Sequence, residues 1–135
     1  MEVRAIRPSE LEAARQLLVS AGWDRKVSTP AEFSELVSRS QIALVAVHES
    51  FVVGFLRALT DGLANGYISM VAVHEQYRGQ GIGRSLVQAA IGNDRSMTWV
   101  LRAGRTPSLP KFYEKLGFSF SQVAMERPGE KNHEA

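Results

Sequence analysis

The stretch VAVHEQYRGQGIGRSLVQAAI, residues 71–91, passes from an apolar β-type segment through three closely spaced glycines into an amphipathic pattern. Val71, Ala72 and Val73 close a run that begins at Tyr67, while Ile82, Leu86, Val87, Ala90 and Ile91 recur at helical spacing on one face. Between them stand Gly79, Gly81 and Gly83. A strand, a glycine-rich turn and a helix together form an anion cradle. The first helical turn leaves N–H groups unpaired, its dipole end is positive, and glycine lets a ligand approach without meeting a Cβ. The same glycines also suit a tight connection that needs φ > 0, and spacing alone leaves both readings open.

Known nucleotide motifs do not fit. Counting from Gly79, a dinucleotide fingerprint needs Gly or Ala where Arg84 stands, and there is no P-loop pattern.

Working outward, EVRAIR (2–7) alternates as a half-buried strand does, and Ser9-Glu10-Leu11-Glu12 reads as a capping box before a helix ending near Gly22. Thr29-Pro30-Ala31-Glu32 opens a second, shorter helix. IALVAV (42–47) and FVVGFLRAL (51–59) predict a hairpin with a three-residue loop, DGLANG (61–66) a turn, and YISMVAV (67–73) a third antiparallel strand. TWVLRA (98–103) returns as a strand parallel to the one before the helix, by the crossover rule. SLPKFYEKLGF (108–118) is a short helix closed by Gly117, and SFSQVAM (119–125) reads as a last strand.

The chain of 135 residues is 44% hydrophobic and 22% charged, enough for one full core. Sixteen Lys and Arg against fourteen Asp and Glu leave a net charge of +2 with no basic run, which argues against a nucleic-acid partner. Having no cysteine, it holds no disulfide, thiolate zinc site or Cys nucleophile. No apolar stretch approaches a membrane span or signal peptide, so the expected location is the cytoplasm with no membrane contact. His48, His74 and His133 lack metal-ligand spacing, no G-x-S-x-G elbow is present, and Trp23 and Trp99 read as core.

Residues 71–91 resemble the acetyl-CoA-binding segment of the GNAT N-acetyltransferase family. Its pattern is Arg or Gln, two residues, Gly, one residue, then Gly or Ala, and Arg78, Gly81 and Gly83 occupy it. The order of elements and the ending FYEKLGF (112–118) extend the resemblance over nearly the whole chain. The resemblance implies an α/β fold of the α+β type, with a mixed, mainly antiparallel sheet of six to seven strands and about four helices. It implies one domain over residues 1–126 with a polar tail at 127–135. It further implies acetyl-CoA as co-substrate, no metal, and a small amine or peptide amine as acceptor in direct attack within a ternary complex. Family members commonly dimerise, so a homodimer is compatible with it.

At residue level, the resemblance implies that the backbone of Val71, Ala72 and Val73 pairs with the pantetheine arm like an added strand. Residues Arg78, Gly79, Gln80, Gly81, Ile82, Gly83 and Arg84 then hold the pyrophosphate. A backbone N–H of the strand ending at Val73 would face the oxyanion. Tyr113, which spacing alone reads as a packing residue, would stand at the thiolate exit. A phenol near pKa 10 giving its proton to a thiolate near 8.5 works uphill by about 1.5 units, roughly 2 kcal/mol, so Tyr113 would orient the sulfur as much as protonate it.

Two positions depart from the family. Some members carry a glutamate on the strand before the signature loop; here Tyr67-Ile68-Ser69-Met70-Val71 has no carboxylate, and Ser69 is the candidate to hold a relaying water. Asp61, His74 and Glu75 are outlying candidates, and the base stays unassigned. Thr106 stands about where an asparagine often precedes the tyrosine, and its hydroxyl would replace part of that contact to the cofactor. These departures leave a second reading open, a non-catalytic acyl-CoA-binding sensor or regulatory module.

Overall fold

In the computed structural model, which describes residues 1–104 and 106–130, the first 102 residues build a five-stranded sheet in the order β1-β2-β3-β4-β5. The strands are β1 (Glu2–Ala5), β2 (Ile42–His48), β3 (Phe51–Thr60), β4 (Asn65–Val73) and β5 (Thr98–Leu101). β1 to β4 pair antiparallel, and β5 returns parallel to β4 after the helix α3 (Ile82–Ile91). This is the mixed, mainly antiparallel sheet the sequence predicts.

α1 (Leu11–Ser20) and α2 (Pro30–Ser38) cover one face. Ala14, Leu17 and Leu18 of α1 and Phe33 of α2 bury against Val45, Phe55, Met70 and Ala72, with the Phe33 and Phe55 rings 5.6 Å apart. Removing an aromatic of this kind costs about 3–5 kcal/mol. Phe55 points into that cluster, whereas its neighbour Gly54 faces Ile82 and Leu86 of α3 on the other side of the sheet. α3 buries Ile82, Leu86, Val87 and Ala90 there.

Chain contacts gather into two compact units, Met1–Arg102 and the part from Ala103 onward. The second unit carries α4 (Ser108–Glu114). Gly117 at φ 94° closes it, with the amide of Gly117 donating to Glu114 O at 3.1 Å and that of Phe118 to Tyr113 O at 3.1 Å, the paired bonds of a Schellman cap.

Three local expectations are corrected. The sheet has five strands rather than six or seven among the described residues, because 119–125 is not a strand. Ser121 Oγ instead accepts from the amides of Val123 and Ala124, a side-chain turn that competes with a ladder. The β2–β3 loop has two residues, Glu49 and Ser50 at φ 49° and 72°, since β2 extends by one residue to pair His48 with Phe51. Ser9 does not cap α1; Glu10 reaches back to the amide of Arg7 at 2.8 Å and ends a 3-10 turn over Pro8–Glu10. Thr29 does cap α2, accepting from the amide of Glu32 at 3.2 Å. The polar tail read at 127–135, with His133, runs partly outside the described residues.

Candidate active site

The glycine segment is built as a cradle. After β4, the His74 imidazole accepts from the amide of Gln76 through Nδ1 at 3.1 Å and starts a 3-10 turn over Glu75–Tyr77. Arg78 follows, and its Nε donates to Val73 O at 3.2 Å, tying the loop to the strand end. Gly79 and Gly81 then take φ 81° and 84°, a region that costs other residues about 1–2 kcal/mol. Gly81 is the N-cap of α3, and the first bond of the helix runs from Ser85 N to Gly81 O at 3.0 Å.

Among the described residues, no backbone acceptor meets the amides of residues 79–84. A Cβ built on Gly79 or Gly81 meets nothing within 4 Å, so the space above these amides is open. Unpaired donors, the positive end of α3 and room for a ligand therefore coincide, and a diphosphate fits them. Gly83 lies in the first turn of α3, Ile82 is buried beneath it, and Gln80 and Arg84 are exposed.

Beside the cradle, β4 loses a neighbour. Its pairing with β5 covers only Asn65 to Ile68, while β3 accompanies it to Val73. The bond from His74 N to Val53 O, at 2.8 Å, sets the phase of the antiparallel ladder. By alternation the main-chain groups of Val71 and Val73 turn away from β3, toward the edge that β5 has left, whereas those of Ala72 pair with Phe55. The groups available to an extended ligand are thus those of Val71 and the N–H of Val73, whose carbonyl accepts from Arg78, with Ala72 turned inward.

At the point of separation β4 carries an extra residue. Arg57 pairs with Met70 and Ala58 with Ile68, which leaves Ser69 as a bulge. Ser69 Oγ accepts from Arg57 Nη1 at 2.8 Å, and Arg57 Nε donates to Ser40 Oγ at 2.7 Å. Burial lowers the Arg57 pKa from its ordinary value. Sequence reading passed over Arg57; its signal was a cation inside the apolar run FVVGFLRAL.

The other base candidates have structural duties. Asp61 Oδ1 accepts from the amides of Leu63 and Ala64 at 2.8 Å and Asn65 at 3.1 Å, which holds its carboxyl below the ordinary value and shapes the β3–β4 turn. His74 caps its own turn, and Glu75 is exposed. Among the described residues no group of three His, Asp or Glu gathers as metal ligands.

In the second unit, Tyr113 is buried, with Phe112 and Phe118 edge-on to its ring at centroid distances of 4.9 and 5.9 Å. Burial pushes its phenol up from the ordinary value. Thr106 is exposed, and its carbonyl accepts from the amide of Leu109 at 3.3 Å.

Residues 39–120 match the Acetyltransferase (GNAT) domain family. An uncharacterised N-acetyltransferase, ycf52 of Pyropia yezoensis, is 32% identical over 108 residues, 76% of this chain and 61% of its own length. The ycf52 protein of Gracilaria tenuistipitata var. liui is 30% identical over 115 residues, covering 80% and 61%. The chain thus spans about three fifths of these relatives. Among solved structures, a GNAT-family acetyltransferase of Streptococcus pneumoniae TIGR4 superposes with a TM-score of 0.78 at 24% identity, over 97% of this chain and 96% of that one. An acetyltransferase of Trypanosoma brucei does so with a TM-score of 0.69 at 24% identity, over 94% and 98%.

Proposed function

Because the chain belongs to the GNAT acetyltransferase family, we propose that it is an N-acetyltransferase, moving an acetyl group from acetyl-CoA to a primary amine by direct attack in a ternary complex. The observation that carries this reading is the coincidence of open amides at residues 79–84 with the open edge of β4. Acetyl-CoA supplies an activated acyl group as a thioester. The main chain of Val71 and Val73 pairs with its pantetheine arm, and the amides of residues 79–84 hold the diphosphate, with Arg84 adding charge from the first helical turn. An N–H of this open edge faces the reacting carbonyl.

The acceptor presents the harder demand. An alkylamine with a pKa near 10 is almost wholly protonated at neutral pH and attacks only as the free base. Ser69 holds a water through which the proton leaves, and the Arg57 cation beside it disfavours the ammonium form. Tyr113 orients the departing sulfur and shares its proton; this role rests on the family resemblance, as does the contact of Thr106 with coenzyme A. We place the enzyme in the cytoplasm, as a single domain over residues 1–126.

Two measurements on one preparation test the reading. Acetyl-CoA should raise the melting temperature, and free thiol should appear when an amine is added. A thermal shift without thiol release across amines, peptides and aminoglycosides would contradict catalysis; no shift at all would contradict the cradle.

A further inference from the structure

Arginine is seldom left half-buried without a carboxylate, because hydroxyls solvate a guanidinium but do not neutralise it. Two other arginines with shielded side chains follow the rule: Arg4 pairs with Glu10 and Arg15 with Glu12. Arg57 does not. It rises from the middle of β3 on the face covered by α1 and α2, opposite Met70, and its partners are the Ser40 and Ser69 hydroxyls. Among the described residues it has no ion pair. A guanidinium has five N–H donors, so after these two bonds three remain without an acceptor among the described residues.

The two hydroxyls come from different elements, Ser40 beyond the end of α2 and Ser69 from the bulge of β4. They hold Nε and Nη1 and so set the plane of the group, an arrangement that prepares a fork for a planar anion. A leucine here would have extended the apolar run without the cost of desolvating a charge. Burial does depress the Arg57 pKa, with the Tyr67 phenol acting weakly against it.

We infer that Arg57 is the specificity residue for the acceptor, pairing with a carboxylate so that the preferred substrate is a small amino-acid-type amine that carries its own carboxylate. This rests on the reading that acyl transfer takes place beside the Ser69 bulge. Arg57 gains its missing counter-charge only when the acceptor is bound, and it does so beside the Ser69 hydroxyl. Polycationic amines such as spermidine or kanamycin meet a like charge at the same point and are disfavoured.

The test compares free amino acids with their C-terminal amides, with spermidine and kanamycin alongside, in a thiol-release assay of wild type, Arg57→Gln and Arg57→Lys. We expect wild type to favour the carboxylate over the matching amide by on the order of 10- to 100-fold in kcat/KM, the scale of a charge-assisted bond. The ratio should collapse toward unity in R57Q and stay intermediate in R57K, a change that a merely structural role would not produce, since it would lower both acceptors together. Turnover without a carboxylate preference, or a preference that survives R57Q, overturns the inference and leaves acetyl transfer standing. If no amine releases thiol, equilibrium titration of the same acids and amides into the protein with coenzyme A decides. Carboxylate binding that R57Q removes upholds the assignment, and equal or absent binding of acid and amide ends it.

Discussion

The indole of Trp99 occupies the place a side chain on Gly66 would need: an ideal Cβ there falls 2.3 Å from Cζ3 and 2.4 Å from Cε3. The two residues are register partners in the parallel pairing of β4 with β5, two pairs before the strands part at Ile68 and Leu101. Gly66 is therefore a packing requirement of the sheet at the root of the proposed acyl site. Replacing it with alanine should destabilise the protein by about 1–3 kcal/mol or more, as overpacking does. Urea unfolding of Gly66→Ala, Trp99→Leu and the double variant checks it; the double variant should be more stable than the sum of the two losses predicts.

Gly81 tests the cradle with least disturbance of the core. Its φ of 84° makes alanine or valine costly by about 1–2 kcal/mol, yet nothing lies within 4 Å of the added Cβ, so the fold should survive. The same Cβ enters the space assigned to the diphosphate. Gly81→Val should weaken coenzyme A binding at least about tenfold by calorimetry, with unchanged circular dichroism. A folded variant that binds coenzyme A as tightly as wild type would remove the amide cradle.

Tyr113→Phe keeps the ring contacts with Phe112 and Phe118 and deletes only the hydroxyl. If the phenol supplies the proton, kcat should fall about 10²-fold or more, with a smaller change in KM for acetyl-CoA. Burial raises the phenol pKa, so it keeps its proton to higher pH than a free tyrosine; any alkaline limb it causes in wild type should lie above about pH 10 and vanish in the variant. A loss below tenfold would return Tyr113 to packing.

Glu10 joins β1 to the start of α1. Arg4 Nη1 and Nη2 donate to its two carboxylate oxygens at 2.9 and 2.6 Å, and the Arg4 guanidinium holds the carboxyl below its ordinary value. A depressed pKa in the folded state contributes stability above the unfolded value, about 4.3, and loses it as pH falls through the lower folded value. Glu10→Gln should be less stable than wild type at pH 7, and the difference should narrow as pH falls below about 4. Denaturant midpoints at both ends check this; a gap of constant size across that range would contradict it.

Elements that depend on a few adjacent residues were readable in advance. Thr29 before Pro30 caps α2, Gly117 closes α4 so that Phe118 lies against Tyr113, and the crossover through α3 brings β5 back parallel to β4. Readings that failed did so through competition. Glu12, read as closing a box headed by Ser9, is taken by Arg15, and it is Glu10 that reaches Arg4 and the Arg7 amide. Residues 119–125 have a strand's composition, but the Ser121 hydroxyl bonds the amides a ladder would have used.

The chain's local pattern was sufficient to identify the family and to set the glycine turn at the start of α3, because unpaired amides at a helix start and glycines at positive φ are properties of about a dozen contiguous residues. Tertiary structure alone decided which groups of β4 stay open and what faces the bulge. Those follow from the end of β5 at Leu101, from one extra residue at Ser69, and from contacts of Arg57 with partners 12 and 17 positions away. Strand register and the meeting of distant side chains are set by packing, and no local periodicity encodes them.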